Sequence, residues 1–369
     1  MRRLTILFLA LAFAFAGNAL AFHDGGVANC SGCHTMHNSQ GGEAMNFDAA
    51  GSGPGTAVGT GYDDLLLFAN ATDVCLNCHD GGGSYHIWSD STSAPNATTA
   101  NRGGGDFVFL EETNLNDGHG GANNPILGHA SGHNVVSAMK GISADPVLSV
   151  SPGGSFPASD LACSSCHDPH GTSSFRILNQ AGQTVGIESF NTTLEADGIR
   201  LFGPGESNTS HNAYKSGYSE WCSTCHGDFH AGSANLVHPS GESLGSDIAG
   251  AYNRYNGTTD CIANPPANGE SCGSGISATA YLAVVPFEDP GATTGSTAGP
   301  SAESKVACMS CHRAHASSSP DAGRWDFNIT GLAEDGHESG SYVIPQPYDD
   351  GQRSLCNKCH GQDEYDAPL

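Results

Sequence analysis

The longest apolar run of the chain lies at its start. Leu4 to Phe15 is almost wholly apolar, Arg2 and Arg3 precede it, and Ala19-Leu20-Ala21 follows. A charged start, a short apolar core and a small-x-small site form a secretory signal, so residues 1–21 are expected to leave an exported chain that begins at Phe22. The run is too short to span a bilayer and nothing later is longer, so no transmembrane segment is expected. Beyond residue 21 no long stretch repeats its apolar positions every 3.6 residues. Turn-forming clusters punctuate the chain instead, among them Gly51-Ser52-Gly53-Pro54-Gly55, Gly81-Gly82-Gly83, Gly103-Gly104-Gly105 and Pro152-Gly153-Gly154. The pattern predicts a mostly irregular coil with short helices around the cysteine motifs and near Ser277 to Ala283.

Composition sharpens this reading. The 369 residues include 50 Gly and 18 Pro, with 38% hydrophobic and 14% charged residues. Ordinary domains carry about 25% charged residues. The 38 acidic against 13 basic residues give a net charge of −25. Nucleic acid and anionic membranes both demand a basic footprint and are excluded as partners, whereas cationic or metallic partners are not.

Twelve of the 14 cysteines fall into six Cys-x-x-Cys pairs, each followed at once by His. They are Cys30/Cys33/His34, Cys75/Cys78/His79, Cys163/Cys166/His167, Cys222/Cys225/His226, Cys308/Cys311/His312 and Cys356/Cys359/His360. Zinc knuckles and redox dithiols also use Cys-x-x-Cys. A His in the same place six times is instead the attachment signature of c-type haem: two thiols three apart reach the two vinyl groups of one porphyrin, and the adjacent His becomes the proximal iron ligand. Six covalent haems c are expected, and with so few apolar side chains they supply much of the interior. Cys261 and Cys272 remain, and in an oxidising compartment they are expected to form a local disulfide.

Successive first cysteines lie 45, 88, 59, 86 and 48 residues apart. The haems therefore come as three doublets, about 22–115, 116–240 and 241–369, within one hexahaem domain spanning 22–369. An independent feature agrees: the first motif of each doublet continues to a further His three residues on, His37, His170 and His315. The fold class expected is thus a multihaem c-type cytochrome with a haem-stack core and three two-haem repeats.

Eighteen His leave twelve after the proximal six, while Met beyond the initiator is limited to Met36, Met45, Met139 and Met309. Bis-His ligation is the economical solution, and it implies low potentials, because Met raises them. His37, His170 and His315 follow their own proximal His too closely to reach the opposite face of the same ring, so each is expected to be the distal ligand of another haem. Such a segment draws two porphyrins together, as fast electron transfer needs. The other three distal sites are assigned to His23, His133 and His238, with His86 and His230 as competitors. His119, His129, His211 and His337 sit in Gly-, Asn-, Asp- or Ser-rich stretches and are expected to be solvent-exposed.

Longer blocks carry a resemblance. Phe22 to Ala28, CSGCHTMH from Cys30 to His37, CSSCHDPHG from Cys163, SEWCSTCH from Ser219, AYLAVVPFE from Ala280, CMSCHRAHAS from Cys308 and LCNKCH from Leu355 resemble the OmcS-type hexahaem outer-surface cytochromes of metal-reducing bacteria. The resemblance implies extracellular filaments with a continuous stack of bis-His haems along the axis. It also implies that His37 ligates the fifth haem, on Cys308/Cys311/His312, of a neighbouring chain. The repeat agrees: if each extra His serves the preceding doublet, His170 serves the first haem, His315 the third, and His37 has no preceding doublet in its own chain.

The function expected is a non-enzymatic electron conduit, secreted to the extracellular or outer cell surface, that passes electrons to metal oxides or other redox partners. A monomeric periplasmic shuttle is the first alternative. A multihaem oxyanion reductase is the second, disfavoured because no motif replaces its His by Lys and distal His are in surplus.

Overall fold

A computed structural model of the chain describes residues 30–37, 39–40, 43–46, 65–81, 86–89, 103–111, 115–116, 125–170, 172–199, 206–230, 240–256, 275–327 and 355–360. The signal segment, His23, His119, His238, His337, Cys261 and Cys272 lie outside the described residues.

Five α-helices are described, α1 (Ala71–His79), α2 (Cys163–Cys166), α3 (Tyr218–Cys222), α4 (Gly245–Arg254) and α5 (Cys308–Cys311). Strands are shorter still and form four separate antiparallel pairs: β1 (Ser39–Gln40) with β2 (Glu43–Ala44), β3 (Leu115–Asn116) with β4 (Pro125–Ile126), β5 (Thr184–Val185) with β6 (Glu188–Ser189), and β7 (Glu195–Asp197) with β8 (Ala213–Ser216). A single 3₁₀ turn occupies Ser277–Thr279, where a helical turn was expected. None of the described helices is long and apolar enough to cross a membrane.

Local sequence explains where the helices start. Asn70 caps α1 by accepting the Asp73 N–H on Oδ1 at 2.9 Å, a contact worth about 1 kcal/mol. In α2 and α5 the serine just before the second cysteine does the capping, Ser165 Oγ accepting from Ala162 N–H at 3.0 Å and Ser310 Oγ from Ala307 N–H at 3.1 Å.

The apolar side chains make three small clusters rather than one core. Leu76, Trp88, Phe107–Leu110, Ile126, Val135 and Ala316 form the first. Tyr252, Leu282, Val285, Trp325 and Leu355 form the second, with Cys311 and Cys359 packed on it. Leu194, Tyr214, Tyr218, Ala307 and Met309 form the third. All three include residues of the cysteine motifs or their immediate neighbours.

Backbone pairing ties the third doublet into the first two. The segment around His315 is threaded between two others: His315 N–H donates to Gly104 O at 2.7 Å, Asp106 N–H to Ala316 O at 3.0 Å, His133 N–H to His315 O at 2.9 Å and Ser317 N–H to Ser131 O at 3.0 Å. The approach requires glycine on both sides. A Cβ on Gly105, whose φ is +78°, would lie 2.0 Å from Ala316 O, and one on Gly132 would lie 2.2 Å from His315 O. Gly132→Ala should therefore push the His315 segment out of its slot and destabilise the protein by roughly 1–3 kcal/mol, read as a lower midpoint in thermal denaturation followed by circular dichroism.

Candidate haem site

The six motifs share one local turn. In five of them the His N–H donates to the carbonyl of the first cysteine, at distances between 2.8 and 3.1 Å, and in the second motif His79 closes the last turn of α1. The shared turn gives the six motifs one local backbone path. None of the twelve motif cysteines is paired in a disulfide. Among the described residues no three His, Cys, Asp or Glu side chains converge on a point as a structural zinc would need.

Neighbouring motifs meet in chain order. Helix α1 packs on α2, and α3 on α5. Cys75 lies within electrostatic reach of Cys163, and Cys222 of Cys308. Cys33 lies within electrostatic reach of Cys75 and Cys78, Cys166 of Cys225, and Cys311 of Cys356 and Cys359. The six attachment points thus run first to sixth without a break.

The motifs that carry an extra His, the first, third and fifth, share a second feature that the sequence did not announce. Each is clamped by a returning segment through two backbone bonds. Thr35 N–H donates to Leu65 O and Leu67 N–H to Cys33 O; Asp168 N–H donates to Ile177 O and Asn179 N–H to Cys166 O; Arg313 N–H donates to Ala322 O and Arg324 N–H to Cys311 O. The excursion between the two strands of each clamp carries His37, His170 or His315. At the turn into the clamp stand non-glycine residues with positive φ, Leu65 (56°), Arg176 and Ile177 (52° and 54°), and Asp321 and Ala322 (56° and 54°). Backbone in this region costs of order 1 kcal/mol or more per residue and persists only where surrounding structure imposes it. Ser174-Phe175-Arg176 and Ser319-Pro320-Asp321, at one offset from their motifs, were the signal available in the sequence.

The clamp also orients the proximal imidazoles. His167 Nδ1–H donates to Arg176 O at 2.9 Å and His312 Nδ1–H to Asp321 O at 2.8 Å, both of them positive-φ residues. His226 Nδ1–H donates to Pro152 O and His133 Nδ1–H to Ala314 O, each at 2.8 Å. An imidazole that spends Nδ1–H on a carbonyl keeps its lone pair on Nε2, the arrangement of a metal ligand held by a second sphere of hydrogen bonds.

Among the described residues three pairs of imidazoles are given in close approach, the first near-parallel and the other two tilted at 53°. The ring centroids of His34 and His170 are 6.3 Å apart at 19°, those of His167 and His315 are 6.4 Å apart, and those of His226 and His133 are 5.9 Å apart. Two metal–nitrogen bonds of about 2 Å, with each nitrogen about 1.2 Å from its ring centre, require roughly 6.4 Å. The gaps therefore suit one metal ion between each pair, and with two free thiols beside each proximal His the residues fit a covalent haem. Asp168 steadies the exposed His170 ring, Oδ1 lying 3.3 Å from Nδ1. Phe107 stacks on His315 at 4.5 Å.

Burial favours the uncharged imidazole at these positions. It pushes His315 down to about 3, assisted by His167 and His133, and His133 down to about 4, assisted by His226. His226 is lowered by the same cause. A neutral ring is the form that binds metal.

The remaining His divide differently. His37 and His312 are both exposed, and the His312 ring packs edge-on against Phe327 at 5.4 Å, within electrostatic reach of His133 and His226. His86 is buried, and His230 has a buried Nε2 without a hydrogen-bond partner. The expectation that His211 is exposed is wrong. His211 is buried, both ring nitrogens lie 2.9 Å from carbonyl oxygens, of Asn212 and Ser296, and the ring stacks on Tyr281 at 3.7 Å. Its polar surroundings in sequence hid a long-range contact, and with both nitrogens engaged it is a structural residue. His129 is half-buried rather than exposed, beside Asn134, which bonds its carbonyl.

No known protein-family profile matches the chain. The C-type cytochrome OmcS of Geobacter sulfurreducens is 33% identical over 94% of this chain and 95% of its own. Two solved structures are similar throughout, the OmcS nanowires from Geobacter sulfurreducens determined by cryo-electron microscopy, with a TM-score of 0.73, and the Outer Membrane Cytochrome S filament from the same organism, with a TM-score of 0.72. Each is 31% identical and is covered over 100% of its length by 93% of this chain. With its attachment motifs, its facing imidazoles and its mostly irregular backbone, the chain belongs to the OmcS family of c-type cytochromes.

Proposed function

We propose that the chain binds six haems c, one on each motif, and polymerises into an extracellular filament that conducts electrons along them to metal oxides or other redox partners. The single observation that carries this reading is the set of three imidazole pairs spaced for an iron, two of which join one doublet to the next. Each haem supplies an iron that passes between ferric and ferrous by one electron, with no bond made or broken.

The chain's own residues do the rest. His34, His79, His167, His226, His312 and His360 serve as proximal ligands. His170, His315 and His133 serve as distal ligands to the irons of His34, His167 and His226, and His23 and His238 are assigned to the irons of His79 and His360. The backbone carbonyls of Arg176, Pro152, Asp321 and Ala314 hold four of these rings in the tautomer that presents Nε2. With an imidazole on both sides, an iron has no open position for a substrate, which favours an electron carrier over a reductase.

His37 occupies the same clamped excursion as His170 and His315, which reach the preceding doublet. It is exposed, and so is His312. A bond from His37 to the iron of His312 in the next copy satisfies both, and the relatives solved as filaments support it. Ligation across the junction also opposes the repulsion between chains of net charge −25, which salt screens further.

Two outcomes test this reading. His315→Ala should leave one haem in six without its distal ligand, seen as one high-spin ferric signal by electron paramagnetic resonance beside five low-spin ones; an unchanged spectrum would reject the His167 pairing. His37→Ala should also leave one high-spin haem per chain and should abolish filaments in negative-stain electron microscopy, while a pyridine haemochrome assay still counts six haems. Filaments of normal length from that variant would place the junction elsewhere.

A further inference from the structure

Three basic side chains are buried among the described residues, Arg313, Arg324 and Lys358, and all three belong to the last two motifs. Lys358 lies inside the sixth, between Cys356 and Cys359. The inner pairs of the other five motifs are Ser31-Gly32, Leu76-Asn77, Ser164-Ser165, Ser223-Thr224 and Met309-Ser310, none of them charged. Arg324 closes the clamp of the fifth motif, where the equivalent residues of the first and third are the uncharged Leu67 and Asn179.

Both cations are fixed by geometry. Lys358 Nζ donates to Tyr252 O and Tyr255 O at 2.9 Å and to Ala280 O at 3.1 Å, and it lies 4.3 Å from the centre of the Tyr252 ring. The first two carbonyls belong to the C-terminal end of α4, where the helix dipole favours a cation. Arg324 donates from Nε to Met309 O, within the fifth motif, at 2.6 Å and from Nη1 to Ala283 O at 3.2 Å, while its buried Nη2 finds no acceptor. The second motif has the opposite sign beside it. Asp73 stands two residues before Cys75 on α1, is fully buried, and accepts from Ser137 Oγ at 2.6 Å and Met139 N–H at 3.2 Å. The other buried carboxylates described are Asp106, Glu288 and Asp326.

Reduction adds one negative charge to a haem. A fixed cation beside it stabilises the reduced form and a fixed carboxylate the oxidised form, and the interaction is far stronger in a protein interior than in water. We propose that Lys358 and Arg324 make the haems of the fifth and sixth motifs the highest-potential pair of the chain, while Asp73 holds the haem of the second motif lower. The proposal deepens the conduit reading and rests on it: electrons resident on a subunit gather at its His312 and His360 end, beside the proposed junction with the next copy.

The test starts from protein shown by pyridine haemochrome to carry six haems, since a lower count would overturn the conduit reading itself. Stepwise reduction is then followed by magic-angle-spinning nuclear magnetic resonance, which suits filaments and single chains alike. Trp325 and Leu355, in the cluster that packs Cys311 and Cys359, should lose their paramagnetic shifts at the highest potentials, and Leu76 of the second motif only later. Leu76 responding before them, or together with them, overturns the order. The cause is tested with Lys358→Gln and Arg324→Gln, which keep hydrogen-bonding groups and drop the charge. Each should lower one or two of the six midpoints, those at the top of the series, so that the ferric-to-ferrous ratio at a fixed potential rises roughly tenfold, about 59 mV for a one-electron couple. Six unchanged midpoints, or a shift at the bottom of the series, overturn the assignment to these cations. The order measured in the unaltered protein stands even where a variant fails to load its haems.

Discussion

An imidazole placed across an iron from another imidazole ties together two stretches of backbone with no other strong reason to meet. His34 and His170 are separated by more than a hundred residues, as are His167 and His315, yet their rings face each other at 6.3 and 6.4 Å. A chain with 38% hydrophobic residues cannot collapse onto a single apolar core, and its buried side chains accordingly form three small clusters built around the motifs. Burial of one Phe or Leu contributes about 1.5–3 kcal/mol, so a few such residues per cluster do not fix a fold of this length. On the reading proposed above, iron–imidazole bonds and porphyrin faces would add to the backbone pairing the long-range ties that these clusters do not supply.

The backbone is correspondingly specialised. A distal ligand must leave its own motif, turn away from the ring attached there and arrive at another. The clamp solves this within about ten residues in the third and fifth motifs, by closing the base of the excursion with two hydrogen bonds and accepting positive φ at Arg176 and Asp321. The carbonyls exposed by that turn accept from His167 and His312 Nδ1. Strain at the turn and orientation of the proximal ring are therefore one device. The first motif keeps the clamp but closes it thirty residues later, at Leu65 to Leu67, which lengthens the excursion that carries His37.

Much of this was legible in the sequence because haem attachment depends on short-range order. Cys-x-x-Cys-His is contiguous, the extra His recurs at one offset, and the rings of His170 and His315 lie near those of His34 and His167 in the preceding doublets. The absence of long periodic segments likewise foretold a backbone whose longest described helix is α4, of ten residues. What stayed hidden depends on contacts between distant residues. His211 sits in a polar stretch and reads as surface, but Ser296 and Tyr281 cover it from far along the chain. Lys358 reads as a solvated lysine in a loop until the carbonyls of Tyr252, Tyr255 and Ala280 converge on it. No glycine marks the positive φ at Arg176 and Asp321, and only the shared offset of Ser174 and Ser319 from their motifs points to it.

The doublets of the sequence are units of spacing rather than of packing. The neighbouring cysteines Cys75 and Cys163, and likewise Cys222 and Cys308, cross from one doublet to the next. So do two of the three imidazole pairs, and the segment of His315 is held between residues 104–106 and 131–133 of the earlier doublets. A doublet cut from this chain would lose a distal ligand, a helix contact and part of its backbone pairing together. On the reading proposed above, polymerisation would continue this interlock, because the first doublet carries an exposed extra His, His37, and the third an exposed motif imidazole, His312. A junction between copies repeats a joint that the chain already makes twice within itself.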